Sequence, residues 1–181
     1  SYRDQRVIWV GTDDGNLQVT EDDGKSWRLV SKGIEGLPEG TWVSFVEPSR
    51  FDRNVAFVTF DGHRDGDKST YVYRTDDLGD TWTSLTTDDL KSYAHVIRQD
   101  LVNPDLLFLG TESGLFITLD GGLHWAHYEE DFPHVSIRDM VWQEREHALV
   151  LGTHGRGIWI LDDVRPLRQI TPEALAQDVF L

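Results

Sequence analysis

The chain contains no cysteine, a single methionine and six prolines among its 181 residues. Without cysteine it forms neither disulfide bonds nor thiolate metal sites, although this absence is compatible with both the cytosol and export. No run of about 18 apolar residues occurs, so the sequence predicts no membrane-spanning helix. The chain begins at Ser1, without methionine and without a signal-peptide pattern. We therefore expect it to be a processed or excised piece of a longer protein.

Positive charge is scarce, because 17 Lys and Arg stand against 32 Asp and Glu, which gives a formal net charge of −15. Binding to nucleic acid or to an anionic membrane requires Lys and Arg gathered on one face, so we expect neither partner. The acidic residues cluster in predicted turns, for example at positions 13–14, 22–23 and 88–89. Such turns either keep a β-rich protein soluble or bind cations or basic ligands.

One eight-residue pattern, Thr-x-Asp-x-Gly-x-x-Trp, occurs three times. Repetition at intervals of roughly 40 to 50 residues is typical of propeller blades and other repeat arrays. Each position has a role in folding. The Asp accepts backbone N–H groups in a turn, the Thr hydroxyl bonds locally, the Gly takes a conformation that a Cβ forbids, and the Trp packs over the hairpin. The three copies are Thr20, Asp22, Gly24 and Trp27; Thr75, Asp77, Gly79 and Trp82; and Thr118, Asp120, Gly122 and Trp125.

This pattern resembles the Asp-box, or BNR repeat, of sialidases, sortilin-type receptor domains and bacterial proteins labelled glycosyl hydrolases. In those families the box is a structural hairpin far from the active site. Segments 11–16, 37–44, 60–64 and 152–163 also resemble the C-terminal part of large bacterial sortilin-like proteins with BNR repeats. The resemblance implies that these blades are part of a larger propeller, and that the longer protein is exported to the periplasm or the cell exterior.

The strand pattern predicts an all-β fold, a β-propeller of four-stranded antiparallel blades. About four blades are expected, over residues 1–34, 35–88, 89–131 and 132–170. The first blade lacks its inner strand, so we count one three-stranded blade and three four-stranded blades. In the last blade, Asp162 takes the place of the box Asp. Within residues 171–181, Thr171 and Pro172 predict the start of a short helix through about Gln177, followed by a tail.

The missing inner strand leaves an edge that has to be paired. Residues upstream in a longer protein, the tail 177–181 and a second chain are the three candidates for that strand. The ring accordingly closes in one of two ways. Two half-rings form a homodimer with a two-fold axis, or the blades belong to a ring of about seven or eight blades in a longer chain.

Loops on one rim of a propeller are the expected place for a binding site, because a rigid frame positions them. The three box loops lie on the opposite rim. The entries to the inner strands add Trp42, His95 and Arg138, which occupy equivalent positions in the repeats. The candidate binding residues are Asp13, Asp14, Trp42, Asp61, His63, Arg64, His95, Glu112, Arg138, His154 and Arg156.

Two rim segments have more than one interpretation. His154 and Arg156 lie among three glycines, and they predict either contact with an anion or carboxylate near the channel mouth or a structural salt bridge from Arg156 to an acidic loop. The loop 61–69 partly resembles a Ca²⁺ loop, but Val72 stands where a bidentate Glu is needed. A solvated loop bridged by Arg64 and Lys68 is the favoured interpretation, and we expect no metal and no cofactor.

Every strong motif in the sequence explains folding, and none explains chemistry. We therefore expect a non-catalytic module or fragment that binds a protein or a glycan through this rim. The alternative is a glycoside hydrolase, sialidase-like or endo-glucanase-like, that uses two rim carboxylates. For a sialidase, Arg64, Arg138 and Arg156 are available as the arginine cluster and Tyr93 as the nucleophile. The sequence has no serine-hydrolase or metalloprotease motif.

Overall fold

The computed structural model describes residues 1–129 and 132–170, and the helix predicted from Thr171 lies outside these ranges. Three short 3₁₀ helices, at Ser31–Gly33, His63–Asp65 and Arg165–Gln169, are the helical segments of the described residues, and none of them could cross a membrane. The strands are β1 Ile8–Gly11, β2 Leu17–Thr20, β3 Arg28–Leu29, β4 Trp42–Pro48, β5 Ala56–Asp61, β6 Tyr71–Thr75, β7 Thr83–Ser84, β8 Ala94–Gln99, β9 Leu107–Thr111, β10 Gly114–Thr118, β11 Ala126–His127, β12 Ile137–Gln143, β13 Ala148–Thr153 and β14 Ile158–Leu161.

The strands form four antiparallel sheets, and within each sheet the strands are neighbours in chain order. The first sheet contains β1 to β3, the second β4 to β7, the third β8 to β11 and the fourth β12 to β14. This arrangement confirms the prediction of antiparallel propeller blades, the first of them without an inner strand.

The predicted fourth strand of the last blade is wrong for the described residues, because the fourth sheet has three strands. After β14 the chain enters the 3₁₀ helix Arg165–Gln169, which has Pro166 in its first turn. Proline has a fixed φ and no N–H, so it suits the start of a helical turn and does not donate to a strand ladder.

Neighbouring sheets bury their apolar faces against each other. Side chains alternate across a strand, so Val58 of β5 packs against the first sheet while Phe57 packs against the third. Phe108 of β9 likewise belongs to the core cluster shared with the fourth sheet, which includes Leu149. All four of these side chains are fully buried. Each such burial stabilises the fold by about 1.5–3 kcal/mol, so the interfaces between sheets form the core.

The repeated turn is held by a small hydrogen-bond network. Thr75 Oγ1 donates to Asp77 Oδ1 at 2.8 Å and accepts the N–H of Gly79 at 2.8 Å, and Asp77 Oδ1 accepts the N–H of Thr81 at 2.8 Å. Gly79 has a φ of +87°, which a residue with a Cβ rarely adopts. The bonds from Thr81, together with that from Thr75, hold the pKa of Asp77 below its usual value. The copies that begin at Thr20 and Thr118 make the same bonds.

The tryptophan of the repeat joins one sheet to the next. Trp82 Nε1 donates to the carbonyl of Val30 at 3.2 Å, and Trp125 Nε1 donates to the carbonyl of Leu85 at 2.9 Å. Both carbonyls belong to the outer end of the preceding sheet. Trp125 is 5% exposed, whereas Trp27 of the first sheet is 43% exposed. The tryptophan of the repeat was predicted to pack over its own hairpin, and the structure shows that it also hydrogen-bonds to the neighbouring sheet.

The last sheet ends in a variant of the turn. Leu161 pairs with Leu149 as Thr118 pairs with Leu107, so Asp163, rather than the predicted Asp162, takes the position of the box Asp. Its carboxylate accepts the side chain and the backbone N–H of Arg165. These two sets of hydrogen bonds lower the pKa of Asp163 to about 2.

Thr75→Val should lower the free energy of unfolding by about 1–3 kcal/mol, because it leaves the buried N–H of Gly79 without an acceptor while keeping the shape of the side chain. Thr83→Val is the matched control: Thr83 is exposed at the start of β7, and its replacement should change stability by less than about 0.5 kcal/mol. Urea unfolding of both variants measures the difference. Equal effects of the two substitutions would contradict the role given to the Thr hydroxyl.

Candidate functional site

The inner strands β4, β8 and β12 lie side by side, and irregularities in their registers aim side chains at one rim. In β8 and β12 the residues without a partner in register are His95 and Arg138. Such bulges redirect the side chains they carry. In β4 the irregularity lies at Ser44, while Trp42 pairs directly with Asp61, so the predicted equivalence of Trp42 with His95 and Arg138 is wrong.

His95 lies at the centre of a charged cluster. Its side chain is 4% exposed, its Nε2 lies 3.1 Å from Oε2 of Glu112, and its Nδ1 lies 3.3 Å from Oδ2 of Asp61. Arg138 donates to the same Oε2 of Glu112 at 3.0 Å. The structure therefore brings five of the predicted residues together. We call Asp61, His63, His95, Glu112 and Arg138 the rim cluster.

Asp61 anchors the rim cluster from beneath. It ends β5 directly after Phe60, the last residue that pairs with β6, just as Glu112 directly follows Thr111, the last residue of β9 that pairs with β10. Its side chain is fully buried, and its Oδ1 accepts the backbone N–H of His63 at 2.9 Å and lies 2.7 Å from Nδ1 of that ring. Burial raises the pKa of Asp61, but the nearby His95 imidazole and the bonds from His63 outweigh it, so the pKa lies below its usual value.

Aromatic rings flank the rim cluster. The ring of His63 stacks on that of Tyr93, with centroids 5.1 Å apart, and the rings of Tyr93 and His95 are perpendicular, with centroids 5.2 Å apart. Beside them the guanidinium of Arg64 lies 4.5 Å above the ring of Trp42. The predicted candidates Trp42 and Arg64 thus form a cation–π pair next to the cluster.

The half-buried carboxylate of Glu112 and the half-buried phenol of Tyr93 have opposite pKa shifts. Burial raises the pKa of Glu112, but hydrogen bonds, including the one to His95, and the charge of Arg138 together hold it below its usual value. Burial, followed by the negative charge of Glu112, raises the pKa of Tyr93. At neutral pH the site therefore holds two carboxylates beside a protonated phenol.

The first sheet contributes a separate polar groove. Asp14 accepts a hydrogen bond from Thr12 and lines a groove of about 580 Å³ between the first and second sheets, together with Lys32 and Glu39. Asp13 is exposed beside it. Across residues 1–129 and 132–170, neither aspartate has a hydrogen bond or ion pair with the rim cluster. The structure thus keeps these two candidates apart from the cluster.

His154 and Arg156 lie on the same rim but remain exposed. The N–H of His154 donates to the carbonyl of Ser136 as that of Glu112 donates to Tyr93, so His154 occupies the position of Glu112 in the next sheet. In the described parts of the chain, no carboxylate lies within ion-pair distance of Arg156. The same residues contain no group of three or more His, Asp or Glu arranged to hold a metal ion.

Sequence reasoning missed a second charged pair on the inner strands. Arg98 donates to Glu47 Oε2 at 2.7 Å and to the carbonyl of Met140 at 2.6 Å, and its guanidinium lies over Phe45. Burial raises the pKa of Glu47 against the opposing charge of Arg98. The pair ties β4, β8 and β12 together. Glu47, an acidic residue that follows the apolar Phe45 and Val46 of β4, was the signal that could have identified it.

Asp61→Asn should lower the free energy of unfolding at about pH 7 by about 1–3 kcal/mol, because it weakens bonds to a buried charged group. The folded-state pKa of Asp61 lies below the unfolded value of about 4. Its stabilisation is therefore complete above about pH 4 and is lost as the pH falls through the lower folded-state pKa. The deficit of the variant, measured by urea unfolding, should shrink below about pH 4.

Asp65→Asn is the control for this experiment, since Asp65 is exposed in the adjoining helical turn. It should change stability by less than about 0.5 kcal/mol at both pH values. A deficit of Asp61→Asn that stays constant with pH would contradict the assigned direction of the pKa shift.

Comparison of the chain with known proteins identifies its fold. No protein-family model matches the chain. Over 81 residues, 45% of its length, the chain is 38% identical to vacuolar protein sorting/targeting protein 10 of Laccaria bicolor, and it covers 5% of that protein. Among solved structures, it is similar to the GH74 xyloglucanase from Xanthomonas campestris, with a TM-score of 0.67, 18% identity, and coverage of 93% of this chain and 27% of that chain.

Two structures of YCF48 are also similar. YCF48 bound to a D1 peptide has a TM-score of 0.59 and 18% identity, and the match covers 82% of this chain and 44% of that chain. YCF48 from Cyanidioschyzon merolae has a TM-score of 0.59 and 17% identity, with coverage of 88% and 50%. The chain thus spans half or less of each of these proteins, and at these identities the structures show the fold alone. The chain has a β-propeller fold, and its blades resemble those of sortilin-like and glycosyl-hydrolase-like proteins.

Proposed function

We propose that this propeller module binds an extended protein segment at the rim cluster and does not catalyse a reaction. The observation that carries the proposal is the layered construction of the cluster. The buried pair Asp61 and His95 holds Glu112, and through it Arg138, in fixed positions at the surface. A preorganised surface loses little side-chain entropy on association, so this construction suits binding.

Aromatic rings and guanidinium groups supply the contact area. The stacked rings of His63 and Tyr93 adjoin the cluster, and Arg64 covers Trp42. Tyr, Trp and Arg side chains provide much of the binding energy in protein interfaces. We therefore expect a partner whose backbone and side chains meet flat rings and hydrogen-bond donors.

The cations of the rim favour a segment that carries carboxylate groups. Many arginines elsewhere are neutralised locally, as Arg74 is by Asp76. Within residues 1–129 and 132–170, Arg64 and Arg156 of the rim have no carboxylate at ion-pair distance, and the side chain of Arg138 is 40% exposed beyond its contact with Glu112. A ligand carboxylate would make charge-assisted hydrogen bonds with these groups.

The likeness to YCF48 supports binding of a peptide in particular. That protein has the same fold and is seen bound to a D1 peptide. Transferred to this chain, the likeness favours an extended polypeptide over a globular surface as the ligand.

A glycoside hydrolase is the weaker candidate, although GH74 enzymes share the fold. The general acid in such a reaction needs a raised pKa. Both carboxylates of the rim cluster, Asp61 and Glu112, have lowered pKa values, and the side chain of Asp61 is fully buried. Tyr93 is equally unsuited as a sialidase-like nucleophile, because its raised pKa disfavours the phenolate.

The three repeated turns are part of the same proposal. Their side-chain bonds match the folding roles that the sequence predicts for Asp-boxes, and we assign them as Asp-boxes with a purely structural function. A bacterial, exported parent protein follows from that resemblance as a further proposal.

Arg138→Ala tests the proposed site. Peptides selected for binding from a displayed library with free C-termini should lose at least about tenfold in affinity, or about 1.4 kcal/mol, when Arg138 is replaced. The reason is that a ligand carboxylate would lose its guanidinium partner while Glu112 keeps its bond to His95. Fluorescence anisotropy with labelled peptides measures the affinities.

Arg145→Ala is the matched control, because Arg145 is 82% exposed, pairs with a neighbouring glutamate and follows the opposite end of β12. It should leave peptide affinity unchanged. The proposal fails if the library yields no binder, or if Arg138→Ala and Arg145→Ala act alike. Saturable binding of a xyloglucan oligosaccharide, without peptide binding, would replace it with the glycan alternative.

The end sheets favour association of two chains into one ring. The outer face of the first sheet exposes Ile8 and Val10, and that of the fourth exposes Ile158 and Ile160. The corresponding faces of the inner sheets, for example Leu109 of β9, are buried against a neighbour. We propose that the fourth sheet of one copy packs on the first sheet of another, as neighbouring sheets pack within the chain.

Light scattering after size exclusion should give a mass of about twice the 20.7 kDa of the chain. Ile158→Lys should restore the monomer mass, because it places a charge in the apolar interface. Leu123→Lys is the control, since Leu123 is 72% exposed, close to the 74% of Ile158, but lies in a turn away from these faces. A monomer mass for the unmodified chain would rule out the homodimer.

A further inference from the structure

One histidine of the rim cluster is held by a buried carboxylate. His63 lies in the turn between β5 and β6, and its Nδ1 lies 2.7 Å from Oδ1 of Asp61, which also accepts the backbone N–H of His63 at 2.9 Å. The side chain of Asp61 is fully buried, whereas that of His63 is 35% exposed. One ring nitrogen is thus bound inside the cluster, while Nε2 has no hydrogen-bond partner in the described parts of the chain.

The bond to Asp61 determines which nitrogen of neutral His63 carries the proton. The pKa of Asp61 lies below its usual value, so its carboxylate is ionised at neutral pH and can only accept hydrogen bonds. Nδ1 must then donate, and the neutral ring has its lone pair on Nε2. A second proton therefore goes to Nε2 and converts this acceptor into a charged donor.

The ring of His63 is also fixed in position. It stacks on the ring of Tyr93 with an interplanar angle of 16°. The N–H of Gly66 closes the turn by donating to the carbonyl of His63 at 3.0 Å, and Gly66 has a φ of +81°, which suits glycine. The place of Nε2 is therefore set before any ligand binds.

Titratable and charged groups face His63 from several elements. They are Asp61 at the end of β5, Arg64 in the same turn, Tyr93 before β8 and, beyond Asp61, His95 with Glu112 and Arg138. The two carboxylates have lowered pKa values and the phenol has a raised one, so all three keep their charge state between about pH 5.5 and 8.

Protons that the rim cluster takes up in this range therefore go to its imidazoles, because histidine ordinarily changes its charge between about pH 5 and 8. His95 is 4% exposed, and both of its nitrogens already face carboxylates. His63 is thus the histidine of the cluster with a ring nitrogen available to a ligand.

We propose that Nε2 of His63 binds a carboxylate of the ligand segment when the ring is protonated, so that the rim binds acidic segments more tightly as the pH falls. The inference rests on the proposed function of the rim cluster. A protonated ring adds a charge-assisted donor to those of the neighbouring arginines. Since proton binding strengthens ligand binding, ligand binding strengthens proton binding by the same factor.

Acidic peptides selected for binding to the unmodified chain are the probe. Their affinity, measured by fluorescence anisotropy, should rise at least about tenfold between pH 8 and pH 5.5, because one charge-assisted hydrogen bond is gained. Calorimetry at pH 7 in buffers of different ionisation enthalpy should show net uptake of protons on binding. Neither measurement requires a variant.

His63→Asn removes the proposed contact and keeps the bond that holds the turn. The amide nitrogen of Asn can take the place of Nδ1 and donate to Asp61, while Nε2 is lost. The rise in affinity should then fall below about threefold. His124→Asn is the matched control, because Nδ1 of His124 lies 2.7 Å from Oδ2 of Asp120, and this 85% exposed ring lies beyond the opposite end of β10. It should keep the full rise.

The inference is overturned if the peptides bind equally well at both pH values, or if His63→Asn retains the full rise. Peptides that lose affinity on Arg138→Ala but show no pH dependence would overturn the inference and leave the proposed function intact. Absence of any peptide binding would overturn both.

Discussion

The packing of sheet upon sheet is the constraint on which this molecule depends. A sheet of three or four short strands has two apolar faces and cannot bury either of them by itself. The three core clusters accordingly lie between neighbouring sheets. The indoles of Trp82 and Trp125 fix the spacing, because each donates to a carbonyl of the preceding sheet. The turn network of Thr and Asp holds each indole where it meets that carbonyl.

The same stacking builds the rim cluster. It brings the inner strands β4, β8 and β12 side by side, so that residues far apart in the chain meet at one rim. Bulges at His95 and Arg138 then turn both side chains toward Glu112. Asp61 lies fully buried at the end of β5, next to His63 and His95, and its burial makes the cluster rigid. Site and core are therefore products of one arrangement.

Sequence predicts the parts of this structure that depend on local chemistry. The Thr, Asp and Gly of the repeated turn form hydrogen bonds within five residues of one another. Their pattern can therefore be recognised in the sequence, and its repetition predicts the blades. The alignment of the repeats also predicts that His95 and Arg138 are equivalent, and the structure places them at equivalent bulges, whereas it gives the third such position to Ser44 and not to Trp42. The contacts of Asp61 with His95 and of Glu47 with Arg98 do not follow from the alignment, because they depend on bulges and on registers between strands. For the same reason the alignment of the repeats assigned the box Asp position to Asp162, one residue before Asp163.

The first sheet differs physically from the other three. It contributes no residue to the rim cluster, and β1 is covered on one face only. Regions with few buried contacts open at a lower free energy than the core does. The second and third sheets, whose faces are buried against neighbours, therefore carry most of the rim cluster, whereas the first sheet leaves one face of β1 exposed.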